Sequence, residues 1–179
     1  NYIAKFVSPG HRHLLENEYL ATQTVKALLP DDQVVDMEIG VVEGLSEPSL
    51  LIKRFDRSKE GRLHFEEFNQ LLDNPAIAKY DGSYEDMAMF MNKSKDCLNT
   101  DIYRLYKRIL VSLLIGNTDL HLKNVAMMHT SSGLRLTPVY DEVSAVLYEY
   151  KTIALKLANI QDLQLGALKE KHIVLLGQS

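Results

Sequence analysis

A chain of 179 residues, 46% apolar and 25% charged, has the make-up of an ordinary folded protein and is long enough to bury a core without staples. Its formal net charge of -4 at pH 7 excludes a global basic field, and with it nonspecific grip on nucleic-acid phosphates as the main activity. The single cysteine, Cys97, excludes an internal disulfide framework and a cysteine-rich zinc site, so a reducing compartment, the cytoplasm, is the expectation.

No run of eighteen or more apolar residues occurs, and the opening NYIAKFVSPG lacks the regions of a signal peptide, so no membrane association is expected. There is no initiator Met, and the chain starts inside a strand pattern. It is therefore expected to be part of something longer.

In chain order, residues 2–6 predict a short strand closed by the turn Ser8-Pro9-Gly10. Leu14, Leu15, Tyr19, Leu20, Val25, Leu28 and Leu29 then recur at helical spacing on one face, and Pro30 stops the pattern. Residues 34–42 and 49–55 read as antiparallel strands joined by the turn at 43–48. After the charged connection RFDRSKEG, helical patterns cover residues 65–72, 84–92 and 101–115. The last carries a broad apolar stripe from Ile102 to Leu114, with Asp101 in its first turn. Residues 125–128 and 134–136 predict a hairpin across Thr130-Ser131-Ser132-Gly133. The tail offers a strand-like IALKL and an amphipathic helix over residues 165–176. The composition shifts near residue 57, so residues 1–56 form a small sheet with one helix and residues 57–179 a mainly helical lobe, with one cleft between them.

Between the long helix and the hairpin lies GNTDLHLKN, residues 116–124, more polar than a surface loop requires. Asp119 and Asn124 stand five positions apart, and Asp141 follows beyond the second hairpin strand. Two carboxylates and an amide oxygen suit a hard divalent cation such as Mg2+. Phosphoryl transfer needs little more than alignment and charge. Asp119 would take the hydroxyl proton, Asn124 and Asp141 would hold Mg2+, Lys123 would steady the transferring phosphate, and Lys5 would reach the nucleotide phosphates. Each residue has a plainer reading. Asp119 alone could make only a turn hydrogen bond, Lys5 could be a solvent-facing edge-strand residue, and Glu18 could pair with Lys5 or be an exposed helix charge. His121 is read as a packing or orienting residue. The spacing D-x-x-x-x-N is that of the protein kinase catalytic loop, but NTD stands where HRD would be and YDE where DFG would be.

Longer strings say more. IAKF, ENEYLA, IKRFDR, LLIGNTDLHLKNVAMM and LTPVYDEVSA, in that order, together resemble the HipA family of serine/threonine kinase toxins, from Tyr2 through about Leu176. The resemblance implies an α+β, protein-kinase-like bilobed fold with a small, partial antiparallel-sheet N-lobe and a mainly helical C-lobe. It implies a kinase that uses ATP and Mg2+ to phosphorylate protein on Ser or Thr, as the toxin of a toxin-antitoxin pair. Family substrates are aminoacyl-tRNA synthetases. The implied partner is a HipB-like DNA-binding antitoxin, with DNA reached only through it. Matched residue by residue, Asp119 is the catalytic base, Asn124 and Asp141 the metal ligands, and Lys5 the ATP lysine. Lys53, Arg54 and Phe55 correspond to the hinge whose backbone meets adenine, with Asp56 near the ribose. The family often has Glu where Lys53 stands, and its phosphate-covering loop lies upstream of this sequence, so the chain alone is expected to be inactive or slow. Two alternatives stay open: a small-molecule kinase on the same scaffold, and a degenerate kinase serving as a binding module for an antitoxin or DNA-bound repressor.

Overall fold

The computed structural model describes residues 1–7 and 9–179. Strands β1 (Tyr2–Lys5), β2 (Met37–Val41) and β3 (Pro48–Lys53) form an antiparallel sheet in the order β1-β3-β2. Lys5 stands opposite Leu50 at the end of β1. Pro9 and Gly10 form a turn as expected, while Ser8 lies outside the described residues.

Helix α1 (Leu14–Leu28) packs on this sheet through Leu15, which joins Val35, Leu50 and Ile52 in one apolar cluster. Its inward face is Leu15, Glu18, Ala21, Thr22 and Val25. The apolar stripe read from the sequence is therefore displaced: Leu20 and Leu28 are 63% and 52% exposed, while Glu18 is buried. The helix turns Glu18 inward because that carboxylate has a partner there, Lys5.

The segment at residues 65–72 departs from the expected helix. It begins as β4 (Phe65–Glu67) and only then turns into α2 (Phe68–Leu71). Strand β4 pairs antiparallel with β5 (Ala126–Thr130), which pairs with β6 (Gly133–Leu136), giving a second sheet in the order β4-β5-β6. A ladder partner about sixty residues away overrides a local helical pattern, as tertiary context commonly does. Glu67 then starts α2 in a capping box with Gln70, whose Oε1 accepts the Glu67 N–H at 3.0 Å.

Helices α3 (Tyr84–Lys93) and α4 (Asn99–Leu114) pack into the larger core together with the loop and strand residues that follow, and in it Phe68, Tyr84, Met87, Leu105, Ile109, Leu122 and Met127 are almost fully buried. The tail's IALKL is not a regular strand. Residues 153–157 bend at Ala154 and Leu155, with Ile153, Leu155 and Leu157 buried, and make only isolated bridges, Ser83 to Lys156 and Leu157 to Ile160. The expected tail helix is split into a 3-10 turn (Leu165–Ala167) and α5 (Glu170–Gln178), because Leu168 between them is extended at φ -61°, ψ 135°. Among the described residues no helix is long and apolar enough to cross a membrane.

Two contacts join the first sheet's layer to the helices and aim the chain at the cleft. Val34 bridges Val139 in parallel, with Val35 N–H donating to Val139 C=O at 3.0 Å and Val139 N–H to Gln33 C=O at 2.8 Å. Arg108, buried on α4, donates from Nε and Nη2 to Asp32 at 2.6 and 2.5 Å and from Nη1 to Thr137 C=O at 2.8 Å. Both fix residues 137–139, which leaves Asp141 two positions further on, beside Lys5.

Candidate active site

The polar loop starts where α4 stops. Gly116 has φ +79°, and a Cβ there would stand 2.5 Å from Val146 Cγ1, so only glycine makes this turn without strain. Asn117 follows, buried, with its Oδ1 accepting the Asp119 N–H at 3.1 Å and its Nδ2 donating to Glu142 Oε2 at 2.8 Å. Ser112 Oγ donates to the other Glu142 oxygen at 2.7 Å. Burial pushes the Glu142 carboxyl up to about 7, against the opposing pull of the Asn117 and Ser112 bonds. Asn117 and Glu142 thus tie the backbone of Asp119 to the residue after Asp141.

At the cleft, Tyr80 Oη donates to Asp119 Oδ1 at 2.9 Å. Asn124 Oδ1 accepts the His121 N–H at 3.1 Å, and Asn124 Nδ2 donates to Asp141 Oδ2 at 2.7 Å. His121 accepts the Lys123 N–H on Nδ1 at 3.3 Å and has Lys79 Nζ 2.9 Å from Nε2. Burial lowers its pKa, which suits a neutral ring that orients the loop. Asp141 adopts φ 61°, a left-handed conformation that Asp tolerates better than most residues and that clusters at functional sites.

Lys5 closes the constellation. Its Nζ lies 2.5 Å from Asp141 Oδ1 and 2.8 and 2.9 Å from the two oxygens of Glu18. Burial works against the ammonium, but Asp141 and Glu18 outweigh it and its pKa is raised. Glu18 is raised by burial, with Lys5 pulling the other way. The edge-strand reading of Lys5 and the exposed reading of Glu18 both give way to an ion pair.

The residues fit a hard divalent cation. Asp141 already takes one cationic partner, and its other oxygen lies beside the Asn124 amide. These are oxygen-bearing groups of the kind Mg2+ takes together with waters and phosphate oxygens. To offer its oxygen to the ion, the Asn124 amide would have to turn over and release the His121 N–H.

Two cavities meet at this point. One, of about 560 Å³, is lined by Lys5, Glu18, Tyr80, Asp119, Asp141 and Tyr148 among others. The second, of about 260 Å³, lies beside residues 53–56 and is lined by Lys53, Phe55, Asp56, Phe65 and Tyr140, with Lys5 and Asp141 shared between the two. Rings in the second are closely set, Phe55 lying 5.2 Å from Phe65 and 5.6 Å from Tyr140 between centroids. Lys53 N–H donates to Asp36 C=O at 2.8 Å and Arg54 N–H to Asn1 C=O at 3.1 Å, whereas among the described residues the Phe55 N–H and C=O meet no backbone partner. The Lys53 side chain is exposed, 4.0 Å from Asp36. Asp56 is clasped by Arg54 at 2.8 and 2.7 Å and also contacts Arg57 Nη1. The Arg54 bonds hold its carboxyl below the usual range.

Of the residues singled out from the sequence, the fold brings Asp119, Asn124, Asp141 and Lys5 to one cleft. Lys123 stands apart. Half-buried, it lines neither cavity, its C=O accepts from Tyr140 Oη at 2.8 Å, and its charge acts on Glu67. Tyr80, Ser112 and Glu142 escaped notice, although Glu142 follows directly on Asp141.

Residues 1–174 match the family model described as the HipA-like C-terminal domain. The chain belongs to this family. The HipA-like chain is 32% identical over 159 residues to a Sinorhizobium fredii protein provisionally named kinase Y4dM, covering 83% of this chain and 38% of that one. It is 28% identical over 168 residues to the serine/threonine-protein kinase toxin HipA of Shewanella oneidensis, covering 83% and 37%. It therefore spans less than two fifths of the length of these two relatives. Among solved structures, HipA from Shewanella oneidensis, in complex with HipB and its operator DNA, matches with a TM-score of 0.83 at 23% identity, over 99% of this chain and 45% of that one. The Helicobacter pylori proinflammatory kinase CtkA matches at 0.71 with 16% identity, over 98% and 69%. The HipA-like chain shares their kinase-like α+β fold.

Proposed function

We propose that this chain carries the catalytic centre of an ATP- and Mg2+-dependent serine/threonine protein kinase, a HipA-like toxin. The observation that carries the reading is the meeting of Lys5, Asn124 and Asp141, from three separate elements, at a cleft onto which Asp119 also opens. Adenine occupies the cavity beside Phe55, bonding the free N–H and C=O of that residue. Lys5 leaves Asp141 for the nucleotide phosphates and keeps Glu18. Asn124 and Asp141 would hold Mg2+, which would supply positive charge against the phosphates. Asp119 accepts the proton of the substrate hydroxyl as its oxygen bonds to the γ-phosphorus and ADP departs. The Asp119–Tyr80 bond opens to admit that hydroxyl. Lys123 lines neither cavity, its charge acts on Glu67, and it is the weakest member of the set.

The protein substrate is a Ser- or Thr-bearing protein, with aminoacyl-tRNA synthetases the class the family suggests, and the regulatory partner is a HipB-like antitoxin. The test uses the full-length protein with labelled ATP and a cell lysate. Asp119→Ala lowers transfer by about 10²–10⁴-fold while nucleotide binding stays, and Asp141→Ala abolishes the Mg2+ dependence of nucleotide binding. Normal transfer by Asp119→Ala, or label confined to small molecules, overturns the proposal.

A further inference from the structure

Strand β4 has two faces. Phe65 and Glu67 point into the cavity beside the hinge. The alternate residues His64 and Glu66 point the other way, where His129 of the neighbouring strand joins them. His64 C=O accepts the His129 N–H at 3.1 Å, which sets the two histidines opposite one another at the end of the β4-β5 ladder. Their rings lie 4.8 Å apart, inclined by 38°. Both Nε2 atoms address one oxygen, Glu66 Oε2, at 2.8 Å from His129 and 3.7 Å from His64.

We propose that His64, Glu66 and His129 form a binding site for a divalent transition-metal ion, with Zn2+ the leading candidate, on the face of β4-β5 opposite the nucleotide side. All three ligand atoms lie within 4.8 Å of one another. Bonds of about 2.0–2.2 Å to imidazole nitrogen and carboxylate oxygen set tetrahedral donors about 3.3 Å apart, and the observed spacings bracket that value. Small rotations of the three side chains bring the donors to it, and all three are at least partly open to solvent.

Three protein ligands leave a fourth position for water, the pattern of an open rather than a closed site. Two imidazoles and one carboxylate favour Zn2+, Ni2+ or Cu2+ over Mg2+, which takes oxygen. The site is therefore chemically distinct from the Asn124–Asp141 pair. It is also mechanically connected to the cleft. Glu66 flanks Phe65, which packs on Phe55 of the hinge, and His129 is on the strand that begins two residues after Asn124. A bound ion clamps these two strands together.

Zinc titration by calorimetry tests the proposal on tag-free full-length protein in millimolar Mg2+, with Co2+ absorption in the visible range as a second readout. The expected result is one saturable Zn2+ equivalent, with a tetrahedral Co2+ spectrum. Affinity falls by more than about tenfold in His129→Ala and in Glu66→Gln and is unchanged in Asp141→Asn. Should His129→Ala fail to fold by circular dichroism, His64→Ala, which alters the most exposed member, takes its place. Absence of saturable Zn2+ binding below about 1 mM, or binding lost in Asp141→Asn and kept in the histidine variants, overturns it.

Discussion

Removing the Lys5 ammonium strands a buried carboxylate, and the consequence is measurable without any nucleotide. Glu18 has a side-chain exposure of 6% and Lys5 of 35%. Deleting one partner of a buried ion pair costs about 3–5 kcal/mol, and solvent screening of the partly open Lys5 brings the expected cost of Lys5→Met down to about 2 kcal/mol. For a chain of this size that lowers Tm by roughly 4–8 °C. The effect depends on pH with a definite sign. Burial raises Glu18 and Lys5 is the neighbour that lowers it, so in Lys5→Met only the raising influence remains among these two. A folded carboxyl raised above its unfolded value binds a proton more readily in the folded state, so the penalty is absent below about pH 4.3. It grows as pH rises through the folded value. Melts followed by far-UV circular dichroism, since the chain has no tryptophan, are run in EDTA at pH 5 and pH 8. The loss is expected to be larger at pH 8, and Lys5→Met/Glu18→Gln is expected to recover most of it. An equal loss at both pH values, or one that persists in the double variant, refutes the reasoning.

The Arg108–Asp32 contact predicts a larger loss. Arg108→Ala leaves Asp32 buried without its partner, for about 3–5 kcal/mol in urea denaturation, and Arg108→Met/Asp32→Leu recovers most of it. At Gly116, alanine has to hold φ +79° with its Cβ against Val146. That costs at least about 1 kcal/mol and slows phosphotransfer in the full-length protein more than Tm alone explains, since Asn117 and Asp119 follow directly. Unchanged stability and transfer in Gly116→Ala would show that the turn is not required.

Elements whose cause is local were legible in the sequence. Helix α1 with its stop at Pro30, α3, and the Thr130–Gly133 hairpin each rest on residues within a few positions of one another. Elements whose cause is distant were not. Strand β4 exists because β5 is there to pair with it, and residues 153–157 are held by burial and isolated bridges rather than by a ladder. The inward turn of α1 is the same case. A stripe of leucines predicts a face by hydrophobicity, but Glu18 outcompetes Leu20 for the interior because Lys5 offsets the cost of burying its charge.

The same distinction separates the groups proposed to meet the reactants from those that hold them. Asp119, Asn124, Asp141 and Lys5 could be singled out because phosphoryl transfer asks for particular functional groups in a particular order along the chain. Tyr80, Ser112, Asn117 and Glu142 perform a task that many side chains could perform, so nothing in their identity announces it. Yet the buried Glu142 fixes where Asp119 and Asp141 stand, by accepting from Asn117 and Ser112 at once. A buried carboxyl with a raised pKa is costly unless its oxygens are satisfied, and here both are. The cost of burying Glu142 is thereby coupled to the geometry of the loop. Any change that moves Asn117 away from Glu142 both exposes that cost and releases the backbone of Asp119, so burial of Glu142 and the position of Asp119 stand or fall together.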